Sequence, residues 1–333
     1  LQTLSELPPM RTSGSCDEWR DKVGKLCIGN SRLISAASAA FAAPLLHLTG
    51  DGSGGVNFQG HSSTGKTTAL LVAVSVWSEP GYLQRWRATT NGLEAVATMH
   101  NDALLCLDEL AQVDASEAGE VAYMLANGSG KVRANRHGLA KAKATWRLLL
   151  LSAGEVGLAQ HMREAGKKAR AGQEVRLVDV PADTGKYGLF EELHGHPDGA
   201  AFSGAIQEAT RACYGSPSRK FLENLVKMDR DRRQQCIREM KKWFVDRALP
   251  QDADGQARRV ADRFALIAAG GELATEWGLT GWDAGAAKQA SVNCFIAWLE
   301  HRGGAGSQEE REMLSQVRLF LESHGESRFT LME

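Results

Sequence analysis

Gly60-His-Ser-Ser-Thr-Gly65-Lys66-Thr67 fits G-x-x-x-x-G-K-[ST] at every fixed position. Each position has a chemical reason. The two glycines let backbone N–H groups wrap a chain of phosphates, and Ser62, Ser63 and Thr64 carry the amides between them. Lys66 reaches the outer phosphate oxygens, the Thr67 hydroxyl is a Mg²⁺ ligand, and Thr68 continues into a helix whose N-terminus adds its dipole. A short strand, 56–60, enters the loop, and an amphipathic helix, 66–78, leaves it. This context separates the motif from a chance match in a chain with 35 glycines. The chemistry is the holding of a Mg²⁺–nucleotide. What the nucleotide is used for must be read elsewhere.

ALLCLDEL (103–110) is an apolar run closed by Asp108 and Glu109, as expected of a buried parallel strand. In a phosphoryl-transfer site Asp108 would hold the Mg²⁺ shell and Glu109 would polarise an attacking water. A switch, or a kinase acting on a small molecule, does not need the second carboxylate there; a hydrolase does. The plainer reading is two acids capping a strand at the surface. The next strand, TWRLLLLSAGE (145–155), carries Ser152, placed either to orient that water between the two motifs or as an ordinary strand-end residue. Arg176 opens strand 174–181. There it is either an arginine finger reaching a neighbouring subunit's γ-phosphate or a solvated surface arginine, with Arg170 in reserve. Arg258 or Arg259, with Arg263 one turn on, suits a lid arginine, although surface arginines on helices are common.

KVRANRHGLAKAKATWR (131–147) holds Lys131, Arg133, Arg136, Lys141, Lys143 and Arg147 and no acid. The spacing puts 131 with 133, and 141 with 143, on one face of a strand, and Asn135-Arg136-His137-Gly138 is a plausible turn. A basic two-stranded finger suits the phosphates of a nucleic-acid strand. The alternative is an edge hairpin whose lysines deter aggregation.

These groups need a scaffold, and the chain is long enough for one. It has 333 residues, 43% of them hydrophobic, sufficient for one large or two modest domains. Lys and Arg number 39 against 40 Asp and Glu, so net charge selects no partner and any nucleic-acid contact must be local. Six scattered cysteines with no C-x-x-C read as reduced, core-filling thiols of a cytoplasmic protein. Trp243, Trp277, Trp282 and Trp298 read as packing residues. No signal peptide is visible. No apolar run approaches about 20 residues, and 35–48 is broken by Pro44, so no membrane span is expected. The start lacks an initiator Met and reads as a piece of a longer chain. Strand and helix alternate over 50–184, implying an α/β fold with a parallel sheet covered on both faces. A helical extension, 1–49, precedes this core. A helical region, 185–302, follows, with single helices over 218–249 and 256–278. A linker and the start of a further module occupy 303–333.

GHSSTGKTTAL, WRATTNGLEAVA, LLCLDELAQ, EAGEVAYMLANGSGKVRANR, WRLLLLSAGE and AGQEVRLVDVPAD, in this order, resemble the domain of unknown function 927 family, over about residues 17–302. The resemblance implies an AAA+ P-loop NTPase core with a helical lid, akin to minichromosome-maintenance-type replicative helicases and found in phages, plasmids and other mobile elements. It implies ATP and Mg²⁺ as cofactors and a hexameric ring acting on single-stranded DNA or a forked duplex, with a primase as a possible partner. Lys66 and Thr67 match Walker A, and Asp108 and Glu109 match Walker B. Ser152 falls at sensor 1, Arg176 at the finger and Arg259 at sensor 2. Residues 131–144, including His137, form the hairpin that would point into a central pore. Family members commonly continue beyond both ends of this chain. An ATP-driven helicase is the expected function. An AAA+ loader or adaptor that switches assembly state, or a defence-system NTPase, is the alternative.

Overall fold

The computed structural model describes residues 10–132, 142–169, 171–306 and 308–328. Five short strands, β1 (Gly54–Gln59), β2 (Gln84–Arg85), β3 (Leu104–Asp108), β4 (Leu149–Gly154) and β5 (Leu177–Pro181), form one sheet. All neighbours are parallel, in the order β2-β3-β4-β1-β5. Parallel strands buried on both faces need apolar residues at every position, and LLCL and LLL supply them. Cys106, Leu149 and Leu151 point to one face, and Leu105, Leu107, Leu148 and Leu150 point to the other.

The first face is covered by α1 (Ser31–Ala42) and α2 (Lys66–Trp77), the second by α3 (Thr90–Met99), α4 (Ala118–Asn127) and α5 (Leu158–Glu164). The later helices are α6 (Gly199–Ala212), α7 (Ser216–Lys227), α8 (Arg230–Ala248), α9 (Gly255–Glu276), α10 (Ala286–Arg302) and α11 (Gln308–Arg328). They are not a detached layer. Every residue of α1 is buried, and α1 packs against α2, α9 and α10, while α10 also lies on β5. The composition of α1, SRLISAASAAFA, is small on most faces, which lets α9 approach closely. A Cβ on Gly270 would lie 2.5 Å from the Ala42 nitrogen, and one on Gly271 would lie 2.1 Å from the Ser38 hydroxyl. Any larger side chain at those two positions would push the helices apart.

One boundary differs from expectation for a local reason. The expected helix 218–249 is two helices: the Asp229 carboxylate accepts from the Asp231 and Arg232 amides at 3.0 and 3.1 Å and starts a new one. The helix after β4, α5, stops at Glu164, and Gly166 turns left-handed at φ +68°. Ahead of α4, the amide and hydroxyl of Ser116 are held by Asp114 at 2.7 and 2.6 Å. The expectation of no membrane-length run is also corrected. Ser31–Thr49 is long and apolar enough by length and composition, Pro44 being absorbed in a 3₁₀ turn, and 78% of it is inside the fold. Four of the six cysteines (27, 106, 213 and 294) are buried. Trp282 and Trp298 are buried too, but Trp243 is exposed, with the Lys288 ammonium 5.2 Å above its ring.

Candidate nucleotide site

The loop 60–65 lies at the carboxyl end of β1, the end of a parallel sheet where ligands bind. Gly65 takes φ +98°, open to glycine and costly for other residues. A Cβ there would also meet the Phe190 ring at 2.7 Å. Phe190 belongs to a segment, 184–190, that docks on the loop: the Leu189 amide donates to the Thr64 carbonyl at 2.8 Å. The Lys66 ammonium donates to the Gly60 and His61 carbonyls at 2.7 and 2.5 Å, which fixes it over the loop. Burial pushes its pKa down, opposed by the nearby carboxylates of Glu155 and Asp108. The Thr64 hydroxyl closes the turn on the His61 carbonyl at 3.0 Å. Thr68 is tied instead to Ser203 of α6 at 2.6 Å.

Asp108 shares a face with Cys106, toward α2, and there the Thr67 hydroxyl donates to its carboxylate at 3.0 Å. Burial raises the Asp108 pKa, while the Thr67 hydroxyl and the Glu109 amide pull it back. A hydroxyl and a carboxylate at hydrogen-bond distance are hard oxygen donors of the kind Mg²⁺ takes, so the residues present fit that ion. Glu109 is left-handed at φ 61°. It turns its carboxylate toward Arg85, 3.8 Å away, and accepts from the Gln112 amide. Ser63, in the loop, is left-handed as well; such conformations persist where surrounding structure holds them, as at functional sites. Ser62 to Thr68, Asp108 and Glu109 thus line one cavity of about 670 Å³, with Glu155, Tyr187, Phe190 and Gln207.

Other expected residues lie elsewhere. β4 does run between β1 and β3. Ser152, however, shares a face with Leu150, is fully buried, and accepts from the Trp86 indole at 2.8 Å; Gly154 and Glu155 reach the cavity in its place. Arg259 is not brought to the loop. It lines a second cavity together with Arg176, beside the amino end of β1, one strand length or about 20 Å from the loop. Arg176 is bonded to Asn127 and Gly172 at 3.0 and 2.6 Å, and its guanidinium lies 4.3 Å over Tyr123. Lys131 and Lys143 are exposed, and their flanks pair antiparallel through a Ser129–Thr145 bridge. Arg133, Arg136, His137, Lys141 and the reserve Arg170 lie outside the described residues. Tyr187, Phe190 and Gln207 had no motif to announce them. Glu155 did have a signal, as the acid closing RLLLLSAGE.

No curated protein matches the chain. Among solved structures, the SCCmec type IV Cch active helicase is similar in fold, with a TM-score of 0.71 and 19% identity. The match covers 95% of this chain and 56% of that one, so this chain spans little more than half of that helicase. Residues 5–145 match the family described as Domain of unknown function (DUF927). The family resemblance carried by the motifs is thus borne out over residues 5–145, and the fold of nearly the whole chain is one shared with a helicase.

Proposed function

We propose that this chain is the motor segment of an ATP-dependent DNA helicase of the AAA+ class, serving a mobile element in the cytoplasm. The observation that carries the reading is the Thr67–Asp108 hydrogen bond of 3.0 Å, which joins the loop of β1 to the acid of β3 with Glu109 next in line. Residues 60–68 would cradle the phosphates, and Thr67 and Asp108 would hold Mg²⁺. The ion, when bound, supplies a positive charge that stabilises charge developing on the transferred phosphate. Glu109, released from Arg85 and Gln112, is the base for the attacking water. Strand β4 between the two motifs, the fixed Lys66 ammonium and the helicase-like fold support this assignment. In a hexameric ring the basic segment 131–143 would grip single-stranded DNA, and a primase is a candidate partner. Ser152 is a positioning residue at most, because Trp86 holds its hydroxyl.

The grip of Arg85 and Gln112 on Glu109 favours slow basal turnover, which also suits the second reading, a loader that switches assembly state. DNA-stimulated ATP hydrolysis by Glu109→Gln and Lys66→Ala tests the site. Glu109→Gln is expected to lower the rate about 10²–10⁴-fold while nucleotide still binds, and Lys66→Ala is expected to weaken binding at least about tenfold. Normal hydrolysis by either variant would remove the assignment. Strand displacement on a forked duplex then separates helicase from loader.

A further inference from the structure

A second cavity, of about 590 Å³, opens at the amino ends of the strands, far from the loop. It is lined by Arg147, Arg176, Arg259 and Arg263, by the Gly50–Ser53 turn and by the start of α9. Among the described residues, Arg176, Arg259 and Arg263 have no carboxylate within ion-pair distance. The acids that face the cavity do not pair with these three. Asp51 is taken by Lys241 at 2.9 Å, Arg147 alone of the four arginines is paired, with Asp102 at 3.6 Å, and Asp262, whose pKa burial raises, makes no ion pair with the arginines among the described residues.

Arg263 is the anchor. One nitrogen of its guanidinium donates to the Gly55 and Val175 carbonyls at 3.2 and 2.9 Å, and the group lies flat on Gly54, where a Cβ would fall 2.1 Å from it. This fixes the guanidinium's plane. Burial lowers its pKa to about 10, and the Arg176 charge pushes the same way. Like charges held together in a partly desolvated cavity are unfavourable unless an anion joins them. Beside them, Gly50 and Gly52 leave open space, and the volume is that of a small-molecule site.

We propose that this cavity binds the phosphates of a small molecule, a pyrophosphate or a nucleotide's phosphate tail, independently of the loop 60–67. Planar guanidinium groups suit phosphate oxygens through paired N–H···O bonds. The proposal does not rest on the ATPase reading, since it concerns the opposite end of the sheet.

The test is calorimetric titration of Lys66→Ala protein with inorganic pyrophosphate, with the oligomeric mass measured at the same concentration. One site per chain is expected on the monomer. Arg259→Glu, added to Lys66→Ala, should weaken it at least about tenfold. Arg259 is exposed and makes its one described hydrogen bond to Gly255 of its own helix, so the unliganded unfolding midpoint should stay in place. Gly52→Trp, which fills open space in the cavity and removes no arginine, should weaken the site similarly. The idea fails if Lys66→Ala protein binds no pyrophosphate, or if both added substitutions leave binding unchanged. It fails equally if binding appears only where the mass shows oligomers, because the phosphate would then be one presented by a second copy.

Discussion

The two ends of β1 hold opposite kinds of charge. At the carboxyl end, one ammonium, Lys66, faces Asp108, Glu109 and Glu155. At the amino end, four guanidinium groups, one of them (Arg147) paired with Asp102 at 3.6 Å, meet Asp262 and an Asp51 already taken by Lys241. The carboxyl end has the makeup of a site that takes an anion together with a cation and does chemistry on it, since it brings carboxylates of its own. The amino end offers guanidinium groups in excess, the makeup of a site that holds an anion. The difference teaches that a residue's place in the sequence does not say which end of the sheet it serves. Arg176 and Arg259, expected at the finger and sensor 2 positions, lie together at the amino end of β1, away from this chain's own loop.

Both ends are joined by β5, which leaves the arginine cavity at Arg176 and reaches the loop where Ala182 bonds Gln59 at 2.7 Å. Midway, Asp179 is half-buried, accepting from Asn57 and Leu158 at 2.7 and 3.0 Å, with its pKa pushed up to about 7 by desolvation. The folded protein therefore binds a proton that the unfolded chain has lost, and this contribution to stability is present at low pH and lost as pH rises from about 4 to 7. Asn cannot ionise. The stability of Asp179→Asn relative to the unsubstituted protein should rise by up to about 4 kcal/mol between pH 4 and pH 8, read from urea unfolding. Parallel curves would show an ordinary carboxylate. Ligand affinity at the two ends should be unchanged by Asp179→Asn if they are independent; a joint shift would show that the strand couples them.

A smaller effect separates the ends more directly. Gly65→Ala places a side chain at φ +98° against Phe190 and should cost roughly 1–3 kcal/mol. Nucleotide-dependent stabilisation should vanish while pyrophosphate binding at the arginine cavity survives. Loss of both would mean one site, not two. The smallest effect concerns Arg85→Ala. The Arg85–Glu109 pair is exposed at 3.8 Å, and such pairs contribute at most about 1 kcal/mol. Basal hydrolysis should rise by no more than about fivefold, and less at high salt. If even the double variant with Gln112→Ala hydrolyses at the original rate, Glu109 is not restrained.

Much of the carboxyl-end site was legible because it is local. A strand, eight residues of loop and a helix are contiguous, and Asp108 and Glu109 close an apolar run whose length betrays a strand. What was not legible is set by packing between distant segments. Phe190 and Tyr187 reach the site because 184–190 hydrogen-bonds to Thr64, a contact with no sequence period. Arg259 lies in the other cavity because Gly270 and Gly271 seat α9 on α1 and so fix where its first turn falls. Ser152 read as a strand-end residue, but β4 continues to Gly154 and alternation turns Ser152 to the face of Trp86.

The close seating of α9 on α1 also has a consequence for how the chain matures on the ribosome. The glycine pair that receives α1 is made more than 200 residues after it. Until then a twelve-residue segment, all but Arg32 small or apolar, lacks its main partner. Contacts so distant along the chain make folding slow and late, and the packing over the sheet, though all five strands are made first, is completed only once α9 arrives. The nascent chain therefore stays open to chaperones at least until α9 has been made.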